Sequence, residues 1–432
     1  MARLNVATVT EFTHEGAPAF QHMTTEQALR RSLMSCMLWE REFYEDGEDI
    51  ATRIVKLAGG VEPHKVADMA IEARTVANLR HAPLLLLASL ARTGAGSSLV
   101  SDTIARTVQR ADELAEFLAI YWRNGKTPLS AQVKKGLAKA FQNFDAYQLA
   151  KYDRAGPIRL RDVMFLVHAK PPEGMAEIYA KLAAQTLESP DTWEVSLSGG
   201  ADKRETFERM LRDGKLGYLA LLRNLRNMAE AGVDPALARE AVIARKGAQR
   251  VLPFRYVAAA RACPQMEPAI DTALCAAIAE LPALPGRTAI LVDVSGSMNE
   301  RLSARSDMTR MDAAAALGAI VNGDIRLFTF SNNIVELPPR RGMAGVDVIM
   351  RSQAHSSTQL GAAVEAVNRE VPHDRLIVVT DEQSHDRVPG PKGKGYMVNV
   401  ASAKNGVGYG SWTHIDGFSE NVIRFIHAHE SA

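Results

Sequence analysis

The 432-residue chain is 47% hydrophobic and 23% charged, the profile of a soluble globular protein too long for one ordinary core. It contains no run of about 18 uncharged apolar residues. Met1 to Thr10 lacks the apolar stretch of a secretory signal, so a cytoplasmic protein without a membrane span is expected. The net charge of +1 does not by itself announce nucleic acid, and Cys36, Cys263 and Cys275 have no metal-type spacing and read as inert thiols in a reducing compartment.

From Gln21 to Glu280 the pattern predicts helices throughout. In Arg110–Trp122, the residues Leu114, Phe117, Leu118, Tyr121 and Trp122 recur at the spacing of one helical face. Gln132–Phe144 repeats the arrangement with Val133, Leu137, Ala140, Phe141 and Phe144, which leaves Lys135 and Lys139 on the solvent side. Breaks fall at Gly59-Gly60, Asn124-Gly125, Gly156-Pro157, Pro171-Pro172 and Gly199-Gly200. Many helices with short breaks suggest stacked helical pairs, although no repeat of fixed period is visible. Between Tyr121 and Lys170 there are ten Lys or Arg against three acids, a local basic surface of the kind phosphate-rich ligands use. The same count also fits a solvated helical face whose balancing acids lie elsewhere.

The pattern changes at the Pro/Gly-rich hinge Leu281 to Gly286, which places the expected domains at 1–282 and 283–432. Beyond it, apolar runs at Thr288–Asp293, Ile325–Phe330, Arg375–Asp381 and Tyr396–Val400 alternate with helical stretches at Arg310–Val321, Gln359–Glu370 and Glu420–His429. Such alternation predicts parallel strands covered on both faces, a doubly wound α/β domain. Its first strand ends in Asp293-Val-Ser295-Gly-Ser297. Alternate residues of an extended segment point the same way, so Asp293, Ser295 and Ser297 present three oxygens to one point at the carboxyl end of a parallel strand. Asp381 follows another apolar strand, and Thr358 lies on the loop that opens an intervening helix. Carboxylates and hydroxyls together are hard-oxygen chemistry suited to Mg²⁺ or Mn²⁺ rather than zinc. The alternative is a set of loop-capping polar residues that holds no ion. His427 and His429 have no third ligand in spacing and read as surface residues.

This combination of Asp-x-Ser-x-Ser, Thr358 and Asp381 resembles the metal-ion-dependent adhesion site of von Willebrand factor A domains. The resemblance implies direct ligation by Ser295, Ser297 and Thr358, with Asp293 and Asp381 binding directly or through water. Few charged ligands would leave the ion open to an acidic group from a partner. Glu382, next to Asp381, is an addition expected to bias the site toward metal or toward a basic partner.

The helical half resembles the TROVE module of Ro ribonucleoproteins. The blocks that carry this are Ile71 to Thr75 running into Asn78 to Pro83, Tyr121 to Lys126, Leu149 to Arg154, Leu160 to Pro171, and Gly217 to Asn227. The resemblance implies a multidomain chain: an all-α, HEAT-like helical-repeat ring closed by an α/β doubly wound (von Willebrand factor A or Rossmann-like) domain. It also implies two modes of RNA binding, small Y-type noncoding RNA on an outer basic surface and single-stranded 3′ ends of misfolded RNA in a central hole. Lys151, Arg154 and His168 match the Y-RNA-contacting stretch. Lys151 and Arg154 are expected on one helix face, pinning phosphates, Arg154 bidentately. His168 suits a base or phosphate, or else simply ends a helix. Lys134, Lys135, Lys139 and Lys170 extend the basic track, while Arg74, Arg80 and His81 either line the ring or tie adjacent repeats together.

No Ser/His/Asp arrangement, phosphate loop or paired acid and base emerges, so a monomeric RNA scaffold without catalysis is expected. It would act in RNA quality control, alongside a 3′–5′ exoribonuclease. The competing reading, from a different class, is a Mg²⁺-dependent protein-interaction module in which the helical half serves only as scaffold.

Overall fold

A computed structural model describes residues 11–13, 16–19, 24–33, 47–251, 253–302, 308–401, 407, 410–417 and 421–431. Cys36 and Glu420 lie outside them. The chain divides into two compact units: residues 50–216 with 231–233, and residues 1–49, 217–230 and 234–432. This division does not follow the 282/283 boundary expected from the hinge. The helices between Tyr218 and Ala279 join the sheet-bearing unit, because Arg261 pairs with Asp312 (3.2 Å) and Asp347 (3.1 Å) and the Asp271 carboxylate accepts from the Met343 amide (2.7 Å). No helix among the described residues is long and apolar enough to cross a membrane.

The helical unit runs through Pro63–Thr75, His81–Thr93, Ser98–Thr107, Ala111–Tyr121, Ala131–Phe141, Ala146–Tyr152, Leu160–Val167, Ala176–Ala184, Trp193–Ser198 and Lys203–Arg212. Several begin on side chains that satisfy the first free amides: Ser97, Ser130, Asp145, Thr192 and Asp202. The apolar run Leu84 to Leu90 is buried throughout, packed against Pro63–Thr75 and Ala111–Tyr121. Helix Ala131–Phe141 lies so close to Ser98–Thr107 that a Cβ on Gly136 would stand 2.9 Å from Ser101 and Ile104. Arg74 and Arg80 are ties between helices. Buried Arg74 meets Glu113 at 2.8 Å, and Arg80 meets Asp112 at 2.7 Å and also Glu116. Glu113 accepts in addition from the amides of Gln109 (2.9 Å) and Arg110 (3.1 Å), so its buried charge is well supplied with donors.

In the second unit, β1 (Glu11–Phe12) and β2 (Pro18–Ala19) form a small antiparallel pair. The six strands β3 (Leu284–Asp293), β4 (Gly323–Phe330), β5 (Ile334–Leu337), β6 (Arg375–Thr380), β7 (Lys394–Asn399) and β8 (Trp412–Asp416) then form one sheet in the order β5-β4-β3-β6-β7-β8. All neighbours are parallel except β5, an antiparallel edge strand on β4. The last six residues of β3 and all six of β6 are buried, as expected for central strands covered on both faces. Helix Arg310–Ile320 presses onto β3 through Gly318, where a Cβ would come within 2.8 Å of Val292. The chain leaves β3 toward β4 but leaves β6 toward β7, so the carboxyl ends of β3 and β6 flank the switch point of the sheet.

Two buried ion-pair systems hold the edges of this unit. At the amino end of β6, Arg375 reaches Glu430 of helix Asn421–Ser431 through Nε (2.6 Å) and Nη2, and Lys394 (3.1 Å) and Tyr396 (3.1 Å) join the same carboxylate. Just past Asp381, Glu382 adopts a left-handed backbone (φ 58°) and turns inward. There it meets Arg31 of helix Thr25–Leu33 at 2.8 Å and His414 of β8 at 3.0 Å, all three side chains being buried. The Ser384 carbonyl accepts from the Thr13 hydroxyl (2.9 Å) and the Ala17 amide (3.2 Å), which fastens the amino-terminal segment to the same loop.

Arg31→Ala leaves Glu382 buried without its guanidinium. Loss of one member of a buried pair should cost about 3–5 kcal/mol in urea unfolding, whereas a loss below about 1 kcal/mol would mean the pair behaves as a surface bridge. Burial opposes ionisation of Glu430, yet Arg375 and Lys394 win and hold it at about 2, below its usual 4.5. Its contribution to stability is therefore complete above pH 4.5 and fades as pH falls toward 2. Glu430→Gln should flatten the acid limb of the stability curve across that window, as measured by melting temperature against pH.

Candidate functional site: a carboxylate–hydroxyl centre and a basic cleft

Register places the first site. Val292 pairs with Val379 across β3 and β6, so Asp293 stands beside Thr380, and the Thr380 hydroxyl donates to Asp293 Oδ2 at 2.6 Å. The other oxygen, Oδ1, accepts from the Ser295 amide at 2.9 Å. Beyond Ser295 the chain makes a 3-10 turn, Gly296–Asn299, which brings the Ser295 and Ser297 hydroxyls within 3.4 Å of each other. The Gly296 amide donates to the Ser356 carbonyl (2.8 Å), and the Thr358 carbonyl accepts from the His385 amide (3.0 Å). The loop carrying buried Thr358 is thus stitched to both carboxylate-bearing loops, and the five expected residues lie on loops joined at the carboxyl end of the sheet.

Asp293 and Asp381 are both fully buried. Burial, followed by the charge of Asp381, pushes the Asp293 carboxyl far above the usual carboxylate range, against the hydrogen bonds from Ser295 and Thr380. Two acids in one buried pocket call for a cation. Among the described residues no group of three or more His, Cys, Asp or Glu forms, so a zinc-type centre has no candidate. Two carboxylates with the hydroxyls of Ser295, Ser297 and Thr358 fit a hard divalent ion such as Mg²⁺ or Mn²⁺. Glu382, expected to add charge here, instead faces Arg31 and His414. Two residues went unnoticed in the sequence: Thr380, legible only once strand register is known, and Arg310. Arg310 opens helix Arg310–Ile320, a position where a charged residue reads as solvent-facing, yet its side chain is 1% exposed and its Nη1 lies 3.7 Å from Asp381 Oδ2.

The basic stretch is distributed over several elements. Helix Ala146–Tyr152 is opened by a reciprocal cap between Asp145 and Gln148 and ends before Asp153, so Arg154 lies beyond the helix rather than on its face. The expected helical pairing of Lys151 with Arg154 is therefore absent. The two side chains meet in another way: both line a cleft of about 490 Å³ together with Asp153, Ser189, Thr192, Glu194 and Ser198. The Lys151 ammonium also sits 5.7 Å from the ring of Tyr147, which is 52% exposed. Burial raises the Asp153 carboxyl pKa, against the pull of Arg159 and Arg161.

The remaining basic candidates stand outside the cleft. Lys134, Lys135 and Lys139 are on helix Ala131–Phe141, where Lys139 pairs with Asp102 at 2.9 Å. His168 is an exposed C-cap of helix Leu160–Val167 with φ 52°, and Lys170 follows it, exposed. The cleft's hydroxyls and Glu194 come from a segment with no basic signature, which is why the sequence did not single them out. Tyr147 did carry a signal, four residues before Lys151 on the same helix.

Comparison with known proteins bears on the chain as a whole. Residues 179–271 match the TROVE domain. None of the basic or metal-site candidates falls inside that range. Telomerase protein component 1 of Mus musculus is 33% identical over 87 residues, which is 19% of this chain and 3% of that protein. The crystal structure of the Ro (Rsr) protein of Deinococcus radiodurans superposes with a TM-score of 0.62 at 16% identity, covering 94% of this chain and 99% of the other. Residues 179–271 are thus similar to the TROVE domain, and the chain shares the fold of the Deinococcus radiodurans Ro protein.

Proposed function

We propose that this protein is an RNA-binding scaffold. It carries a small structured noncoding RNA of the Y type on the basic surface of its helical unit and receives the single-stranded 3′ ends of misfolded RNAs. The observation that carries the reading is the convergence of Lys151 and Arg154 on one cleft. Lys151 and Arg154 with the cleft's hydroxyls suit a phosphate, although Asp153 and Glu194 share the lining, and the half-exposed Tyr147 beside Lys151 suits a stacked base. The TROVE match and the Ro-type fold support the same reading. In this role the chain is a cytoplasmic monomer without catalysis of its own, and it works beside a 3′–5′ exoribonuclease.

A second reading concerns the other unit. The gathered Asp293, Ser295, Ser297, Thr358 and Asp381 favour a Mg²⁺ or Mn²⁺ site of the adhesion type, with the two carboxylates and three hydroxyls as its holders. The ion would supply a Lewis-acidic point to which an acidic group of a partner binds. This function is compatible with RNA binding elsewhere on the chain.

Purification from native cells at low salt, followed by sequencing of the bound RNA, should recover one structured small RNA. Lys151→Ala and Arg154→Ala should each weaken its binding and lower the slope of log affinity against log salt by about one. Unchanged affinity and slope in both variants would remove the cleft from the interface. For the second site, Mg²⁺ should raise the melting temperature of the wild-type protein and leave that of Asp293→Ala unmoved. A wild-type melt indifferent to Mg²⁺ and to chelator counts against the ion.

A further inference from the structure

Arg310 is among the largest fully buried side chains among the described residues, and the carboxylate it meets is one of the two at the metal site. A guanidinium keeps its charge at every accessible pH, so this is a permanent cation sealed into the pocket that Asp293 and Asp381 make negative. Its position is well fixed. Helix Arg310–Ile320 starts on a reciprocal cap in which Thr309 and Asp312 exchange hydrogen bonds (3.1 and 2.9 Å). The Arg310 amide donates to the Glu300 carbonyl at 3.0 Å, and Asp312 is anchored in turn by Arg261. The side chain therefore leaves a rigid first turn and cannot swing out to solvent without unpacking the helix from β3.

We propose that Arg310 is a built-in competitor and co-cation of the metal centre, setting a weak intrinsic affinity for the divalent ion that becomes strong only when an anionic oxygen ligand binds with it. This inference rests on the metal reading above. Without Arg310 the two carboxylates would neutralise a divalent ion completely. With it, a third positive charge stands beside the two of the ion, and Asp381 must be shared between guanidinium and ion. Like charges at close range in a buried site repel strongly, because little solvent lies between them. An incoming carboxylate restores the balance, so ion and anion should each raise the affinity of the other by the same factor. A typical hard-cation site gains affinity from the number of its acids; this one lowers it with an internal base and makes occupancy conditional on the ligand.

The test is Mn²⁺ binding to the full chain, followed by the paramagnetic signal of free ion, in wild type, Arg310→Met and Arg310→Lys. The neutral variant, close in volume, should bind Mn²⁺ about tenfold or more tightly, while the charge-conserving variant stays near wild type. Wild-type uptake with no tightening in a folded Arg310→Met protein would overturn this inference alone, because an arginine that merely braces Asp381 would leave affinity equal or lower when lost. Absence of Mn²⁺ uptake in every variant overturns the metal reading and this inference with it. Should Arg310→Met fail to fold, the wild type suffices. Acetate, used as the carboxylate probe, should tighten Mn²⁺ binding several-fold over chloride at equal ionic strength, and identical affinity in the two salts refutes the proposal.

Discussion

The in-register parallel pairing of β3 with β6 is the constraint on which the α/β unit depends. It sets Asp293 against Thr380 and brings Asp381 into the same buried pocket, so two carboxyl groups are concentrated away from bulk solvent. Everything around that pocket can be understood as accommodation. Thr380 and the Ser295 amide donate to Asp293, Arg310 faces Asp381, and Glu382 turns through a left-handed residue into a partnership of its own. A sheet with a different register would scatter these groups, and none of the remaining polar contacts could reassemble them.

The helical unit solves a different problem with the same means. Its helices are short and need external partners to persist, and they find them in apolar faces and in a few cross-helix ion pairs such as Arg74 with Glu113. The basic candidates are spread over separate elements, and Lys151 and Arg154 are the two of them that line one cleft. A surface tiled with charge gives long-range attraction for a polyanion, whereas a cleft gives a place to stop. The two properties come from different residues and can vary separately.

Much of this was legible from the chain alone, for identifiable reasons. The 3.6-residue rhythm around Leu114 and Phe117 and around Val133 and Leu137 marked helices within one to three residues of their ends, because burial of one face enforces it. The apolar runs at 288–293 and 375–381 marked central strands, with the oxygen-bearing candidates at their ends. Edge strand β5, short and half-exposed, and β8, with His414 and Asp416 among its five residues, have no apolar run to betray them. Arg154 was assigned to a helix face because spacing says nothing of where a helix stops; the turn that opens after Tyr152 decides that. Arg310 went unnoticed and Glu382 misled for a shared reason. A charged residue reads as solvent-facing or as an added ligand, and only the tertiary arrangement shows a buried partner.

The attachment of the amino-terminal segment has a consequence for synthesis. Arg31 leaves the ribosome hundreds of residues before Glu382, the buried carboxylate it pairs with. The burial of helix Thr25–Leu33 against this partner must therefore wait until the segment carrying Glu382 has been made. The β8 side of the sheet in turn packs against a segment translated earlier. Folding of this unit cannot proceed strictly from front to back, since its first piece is also among its last to be placed. The intervening helical unit, whose core is drawn from residues 50–216, is free to form during that delay.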